Sequence, residues 1–200
     1  MRRVTDAERR SRIAVRHALA PAHRLPDVAS VTRAMTVLHA TEAATVHLAV
    51  AARAEGMTPE LVDAALYDDR TVVKQLAMRR TLFAFPRELL PAAWGSASAR
   101  VAATERRRIA KAISEAGIAA DGEGWLDAAR DATLARLAHG PATVAQLRAE
   151  VPELAGMIGG TTDKKWDRPV SVAPWVLTHL GLDGAAVRAR NAGHWRLNKP

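Results

Sequence analysis

The sequence predicts a mostly α-helical fold carrying small β-wings. Three observations point there. Hydrophobic residues make up 48% of the chain and aromatics only 4%; with alanine abundant, this suits helices packed closely through small side chains. Apolar residues recur at helical spacing through most of the 200 residues. Short β-prone runs such as Leu82-Phe83-Ala84-Phe85 stand between the helical patterns. The same composition excludes general disorder.

Thr5-Asp6-Ala7-Glu8 reads as a capping box opening a helix that Pro21 stops. Arg9, Arg10, Arg12 and Arg16 spread around that helix as a solvated face. Pro26-Asp27 starts a second helix, with Val28, Val31, Ala34, Met35 and Leu38 at helical spacing. A polar break follows at His39-Ala40-Thr41-Glu42. Val46, Ala49 and Val50 then begin a run that Gly56 ends. Thr58-Pro59-Glu60 supplies a cap, a first-turn proline and a first-turn acid for the next helix. Asp68-Asp69-Arg70-Thr71 is a turn. Residues 72–78 read as a short helix and residues 79–86 as extended, closed by Pro86. Three helices followed by a strand suggest a winged helix-turn-helix. Arg79, Arg80 and Thr81 would stand where the last helix meets the wing, a junction that commonly faces DNA. The alternative is an ordinary basic surface strand.

From Arg87 the pattern is helical again, through Leu89, Trp94 and Ile109. Gly117 and Asp121-Gly122-Glu123-Gly124 mark a linker. The domains expected are therefore 1–124, a winged-helix unit with a helical extension, and 125–200, a second winged-helix unit. In the second, Trp125, Leu126, Ala129, Leu134 and Leu137 form a helix. Thr143 caps a short one, and a loop holding Gly156, Gly159 and Gly160 carries Lys164, Lys165 and Arg168. A helix through Trp175, Val176 and Leu180 follows. Residues 185–190 and 194–197 read as a hairpin around Asn191-Ala192-Gly193, with Arg188, Arg190 and Arg196 on its wing. The architecture expected is thus a pair of tandem winged helix-turn-helix units. DNA would be met by Arg79, Arg80 and Thr81 in the first, and by Lys164, Lys165, Arg168, Arg188, Arg190 and Arg196 in the second.

A net charge of +8 points to an anionic partner, nucleic acid foremost. Arginine greatly outnumbers lysine, which suits forked contacts to phosphates and guanine edges; a GC-rich genome gives the same bias. The chain has no cysteine, which excludes disulfides and thiolate metal sites and fits a cytoplasmic location. No apolar run approaches membrane-spanning length, and the first residues lack a signal-peptide core. The histidines do not fall at zinc spacing, and there is no phosphate loop, dinucleotide fingerprint or nucleophile elbow. No metal or cofactor is expected. No long heptad helix suggests dimerisation, so a monomer is expected.

His39 and Thr41 are i and i+2. An extended backbone aims both side chains the same way, where an imidazole and a hydroxyl could hold one water. The competing reading makes Thr41 the N-cap of the following helix and leaves His39 merely to end the preceding one.

Four segments together resemble a known family. They are residues 37–46 around His39-Ala40-Thr41, Ala65-Leu66-Tyr67-Asp68-Asp69-Arg70, Leu76-Ala77-Met78-Arg79-Arg80-Thr81-Leu82-Phe83, and the stretch from Trp166 to Trp195. The family is that of bacterial winged-helix DNA-binding proteins which includes the crosslink-unhooking DNA glycosylases AlkZ and YcaQ. The resemblance covers nearly the whole chain. Members are longer, with a third winged helix and a β-rich end, so this chain looks like a truncated member or a fragment. The family's catalytic motif is Gln-x-Gln or Gln-x-Asp, and its position corresponds to His39-Ala40-Thr41. The spacing is kept, but both polar side chains differ. The resemblance implies a glycosylase of alkylated or crosslinked purines on double-stranded DNA, with His39 orienting or deprotonating a water and Thr41 holding it. A non-catalytic winged-helix DNA-binding protein or regulator is the alternative.

Overall fold

The computed structural model describes residues 2–159, 168–191 and 195. Its mostly helical character, with small sheets, matches the composition. Packing divides the described residues into two compact units. One lies within 1–75, 81–91 and 189–199, the other within 76–80 and 92–188.

The first unit begins with α1 (Asp6–Arg16), capped by the Thr5 hydroxyl, which accepts from the Glu8 amide at 3.2 Å. No residue of α1 is buried. Next, α2 (Val28–Met35) is capped by Asp27, whose carboxylate accepts from the Ser30 amide at 2.7 Å. Thr36, with φ 69°, ends it. The strand β1 (Leu38–His39) then leads into α3 (Ala43–Ala51). After these, α4 (Pro59–Asp63) has Thr58 as its cap and Pro59 in its first turn, and a wider turn continues it to Asp68. The chain then forms β2 (Val72–Leu76) and β3 (Leu82–Pro86). The three strands lie in the order β1-β3-β2, with β1 antiparallel to β3 and Leu38 opposite Ala84. Val31, Val46, Val50, Val62, Leu66 and Val72 are almost wholly buried and form the core.

Residues 72–76 are a strand, where a short helix was expected. The physical reason is local: the adjacent β-branched Val72 and Val73 favour extended backbone, and all five strand residues are buried. A buried strand loses the alternation that would mark it, and a short apolar run then reads equally well as helix. Its polar members have partners: the Lys74 ammonium donates to the Tyr67 hydroxyl at 2.7 Å and lies 5.1 Å from that ring's centre.

Helix α5 (Leu90–Ala93), whose last two residues belong to the second unit, runs through a widened turn into α6 (Ala99–Glu115) of that unit. Residues 121–124, expected as a linker, are instead the start of α7 (Gly122–Leu137). Asp121 caps it, accepting from the Glu123 and Gly124 amides at 3.1 and 3.0 Å. Gly122 serves close packing: a Cβ there would lie 2.0 Å from the Ala110 carbonyl oxygen of α6. Thus α6, assigned to the first domain by the sequence, packs against α7 and α9. Then come α8 (Val144–Glu150), with the full Thr143/Gln146 capping box, the strands β4 (Met157–Ile158) and β5 (Val170–Ser171), paired antiparallel, and α9 (Ala173–Leu182). Ile109, Ile113, Leu126, Leu147, Leu154 and Leu180 form the core.

The expected order of three helices and then a hairpin is therefore altered, since β4 and β5 precede α9. Residues 185–190, expected as a strand, form neither helix nor strand. Four consecutive residues there, Val187, Arg188, Ala189 and Arg190, are all exposed, so the stretch shows no burial alternation. The proposed return strand lies outside the described residues apart from Trp195, as do Lys164, Lys165 and Arg196. Among the described residues no helix is long and apolar enough to cross a membrane.

Candidate active site

The His39-Ala40-Thr41 segment is held by the edge strand of the first unit's sheet. His39 pairs with Phe83 across the β1–β3 ladder, and the Ala40 amide donates to the Leu82 carbonyl at 2.9 Å. Burial alternates along it. Leu38 and Ala40 are 4% and 2% exposed, while His39 and Thr41 are both exposed. The i, i+2 spacing thus puts the two polar side chains on the solvent side of the segment. The His39 ring meets Phe83 edge-on, with centres 5.7 Å apart at 84°, which fixes one flank of the imidazole.

Neither bland role holds. His39 ends no helix, because it lies in a strand with the left-handed Thr36 separating it from α2. Thr41 does not cap α3; the N-cap is Glu42, which makes no side-chain capping bond. The first residue of α3, Ala43, therefore stands two positions past Thr41, with the helix's positive dipole end there.

The first unit also holds a polar network that the sequence reading missed. His47, on α3, is 6% exposed. Its Nδ1 lies 3.2 Å from the Ala43 carbonyl and its Nε2 3.0 Å from Asp63 Oδ1. The Trp195 ring lies over it, with centres 5.0 Å apart. Asp63 also accepts from Arg190 at 3.1 Å, and Arg190 forks onto Asp68 at 2.9 and 3.1 Å while its guanidinium lies 5.5 Å from the Tyr67 ring. Arg190, expected on a wing facing DNA, has its guanidinium committed to these two carboxylates. The one available signal was the Tyr67-Asp68 pair inside the second resembling segment.

Met78, Arg79 and Arg80 form the turn between β2 and β3 and belong to the second unit; Thr81, half-buried, belongs to the first. Arg79 and Arg80 are exposed and hold φ values of 52° and 60°, a region disfavoured for side chains bearing a Cβ. Arg80 donates to both oxygens of Glu105, at 3.2 and 3.3 Å. Arg108 donates to the same carboxylate at 2.8 Å and stacks on Trp175, 4.6 Å from its ring centre. Glu105 itself is 5% exposed, so two guanidinium groups neutralise one buried carboxylate. Arg168 and Arg188 are exposed at the two ends of the β5–α9 region. Among the described residues no cluster of three or more acidic or histidine side chains could hold a metal ion.

Comparison with known proteins finds no matching curated protein and no matching solved structure. The family model described as "DNA glycosylase AlkZ-like" matches residues 32–200. The match leaves out α1 and takes in both units, including the His39 strand, the arginine turn and the Tyr67-Asp68 segment. On that match, the chain belongs to the AlkZ-like DNA glycosylase family.

Proposed function

We propose that the protein binds duplex DNA and hydrolyses the N-glycosidic bond of alkylated or crosslinked purines, with His39 and Thr41 holding the attacking water. The observation that carries this reading is the exposure of both side chains from one edge-strand segment, at the position of the family's motif. The chemistry asks little of an acid. An alkylated purine already carries positive charge, so the C1′–N bond breaks with its electron pair leaving to the base. Water oxygen then bonds to C1′, and its proton passes to the imidazole of His39. Thr41 orients the water by hydrogen bonding, and Glu42 supplies a nearby negative charge for the sugar cation.

The arrangement α2-β1-α3-α4-β2-β3 with strand order β1-β3-β2 supports reading residues 28–86 as a winged helix, with the β2–β3 turn as the wing. In the second unit, β4 and β5 would be the arms of another wing. Arg79, Arg80, Thr81, Arg168 and Arg188, with Lys164, Lys165 and Arg196, would meet DNA. A DNA substrate places the protein where the chromosome is, acting as a monomer.

The test is incubation of the protein with methylated and with crosslinked duplex DNA, followed by cleavage at abasic sites. Strand breaks that depend on the protein and on the lesion support the glycosylase. Tight DNA binding without breaks on either substrate favours the non-catalytic reading, towards which the replacement of both polar motif residues already points.

A further inference from the structure

The second unit contains a cleft of about 570 Å³ between the turn Met78–Arg80 and the helical stretch that includes Ala97 and Thr104. Its chemistry is divided. Arg79 and Arg100 stand exposed on the cleft, and among the described residues neither has a carboxylate within ion-pair distance. Met78, Ala97 and Val101 supply apolar wall; Met78 is 45% exposed. The one acid there, Glu105, is already shared between Arg80 and Arg108. The cleft thus keeps a positive excess beside an apolar surface.

We propose that this cleft is a subsite for one nucleotide of a DNA strand. The phosphate is taken by Arg79 and Arg100, and the sugar and base lie against Met78 and Val101. The proposal rests on the reading of the protein as DNA-binding. Two chemical arguments and one observation carry it. First, a bare phosphate uses only the guanidinium groups, whereas a nucleotide also covers the exposed methionine, whose polarisable thioether packs well on a ring. Second, forked guanidinium groups suit phosphate oxygens. Third, Arg79 and Arg80 sit in left-handed backbone that glycine would adopt without cost. Arginine there keeps two cationic side chains at the tip at the expense of strain, as ligand clamps do. Arg80 is the positioning residue: its pair with buried Glu105 holds the turn while Arg79 faces the ligand.

The experiment uses the whole chain with its methionine methyl groups labelled with carbon-13. Methyl spectra are recorded during titration with inorganic phosphate, thymidine, thymidine 5′-monophosphate and a short oligothymidylate, and binding of the oligonucleotide and of a duplex is followed by fluorescence anisotropy. The Met78 methyl is expected to shift with the monophosphate and the oligonucleotide, while Met157, exposed elsewhere in the same unit, stays put. The double variant Arg79→Ala with Arg100→Ala, shown to be folded by its unchanged remaining methyl signals, should bind the oligonucleotide about tenfold more weakly. If inorganic phosphate alone moves Met78 as far, the cleft is a simple anion site and the nucleotide assignment falls. If the oligonucleotide and duplex bind but Met78 does not move, DNA sits elsewhere: the subsite falls while the DNA-binding reading stands. If neither oligonucleotide nor duplex binds, both fall. Movement of Met78 by nucleotides in a protein that releases no base keeps the subsite and removes the glycosylase.

Discussion

Arg79 holds φ 52° and ψ 34° at the tip of the β2–β3 turn, where a Cβ is crowded by its own backbone. Glycine at this position removes the crowding and loses a cation. Arg79→Gly should therefore raise stability by roughly 0.5–1 kcal/mol and weaken DNA binding at the same time. Chemical denaturation and anisotropy on the one variant measure both; a destabilised variant would contradict the strain argument. Gly122 is the opposite case, a glycine kept for space. The nearest atom to an added Cβ is a backbone oxygen at 2.0 Å, which cannot rotate away. Gly122→Ala should cost about 1–3 kcal/mol by forcing α6 and α7 apart, and an unchanged melting temperature would show that the helices have slack. Neither residue announces its role in the sequence. An arginine in left-handed backbone looks like any arginine, and Gly122 sits in a glycine-rich string that reads as a linker until the Ala110 carbonyl is placed beside it.

Helix starts were legible for a physical reason: a cap is a bond between residues two or three positions apart. Thr5, Asp27, Thr58 and Thr143 all cap helices as their local patterns suggest. The strand β2 was not legible, because its burial comes from partners distant in the chain. The same holds for Arg190, which is 127 positions from Asp63. Between elements, α7 and α9 are tied by Arg130, which lies 2.6 Å from His179 Nδ1 and donates to Asp183. Burial first, and then the Arg130 charge, hold the His179 imidazole below its ordinary pKa. The folded protein thus keeps His179 neutral where the unfolded chain takes up a proton. Stability from this group is complete above about pH 6.5 and is lost as pH falls from there towards the lowered folded value. The melting temperature should drop between pH 7 and pH 5, and His179→Asn, which keeps an acceptor for Arg130 but cannot charge, should flatten that drop. An equally steep drop in the variant would assign the acid sensitivity to other groups. The Asp127 carboxyl, held low by its forked pair with Arg106 at 2.7 Å, responds only at still lower pH.

For the whole molecule, charge and family point the same way. A net +8 chain of a DNA glycosylase family should hold DNA largely through phosphates, so affinity should fall steeply as salt rises from low to physiological concentration. A flat response would remove the electrostatic account. The shared exposure of His39 and Thr41 followed from their spacing only on condition of an extended backbone, which the sequence left open against a helix end and an N-cap. What spacing could not give was the network of His47, Asp63 and Arg190, built from residues on α3, α4 and the segment after α9. The claim that rests on all of this is that His39 and Thr41 hold the attacking water. It is tested most directly by His39→Ala, with base release from methylated duplex DNA and DNA affinity measured on the same preparation. His39 is exposed and touches Phe83 edge-on, so its loss should leave folding and phosphate contacts intact. Base release should fall by about 100-fold or more with affinity nearly unchanged. Base release equal to that of the unaltered protein would contradict the assignment of His39 to the chemistry.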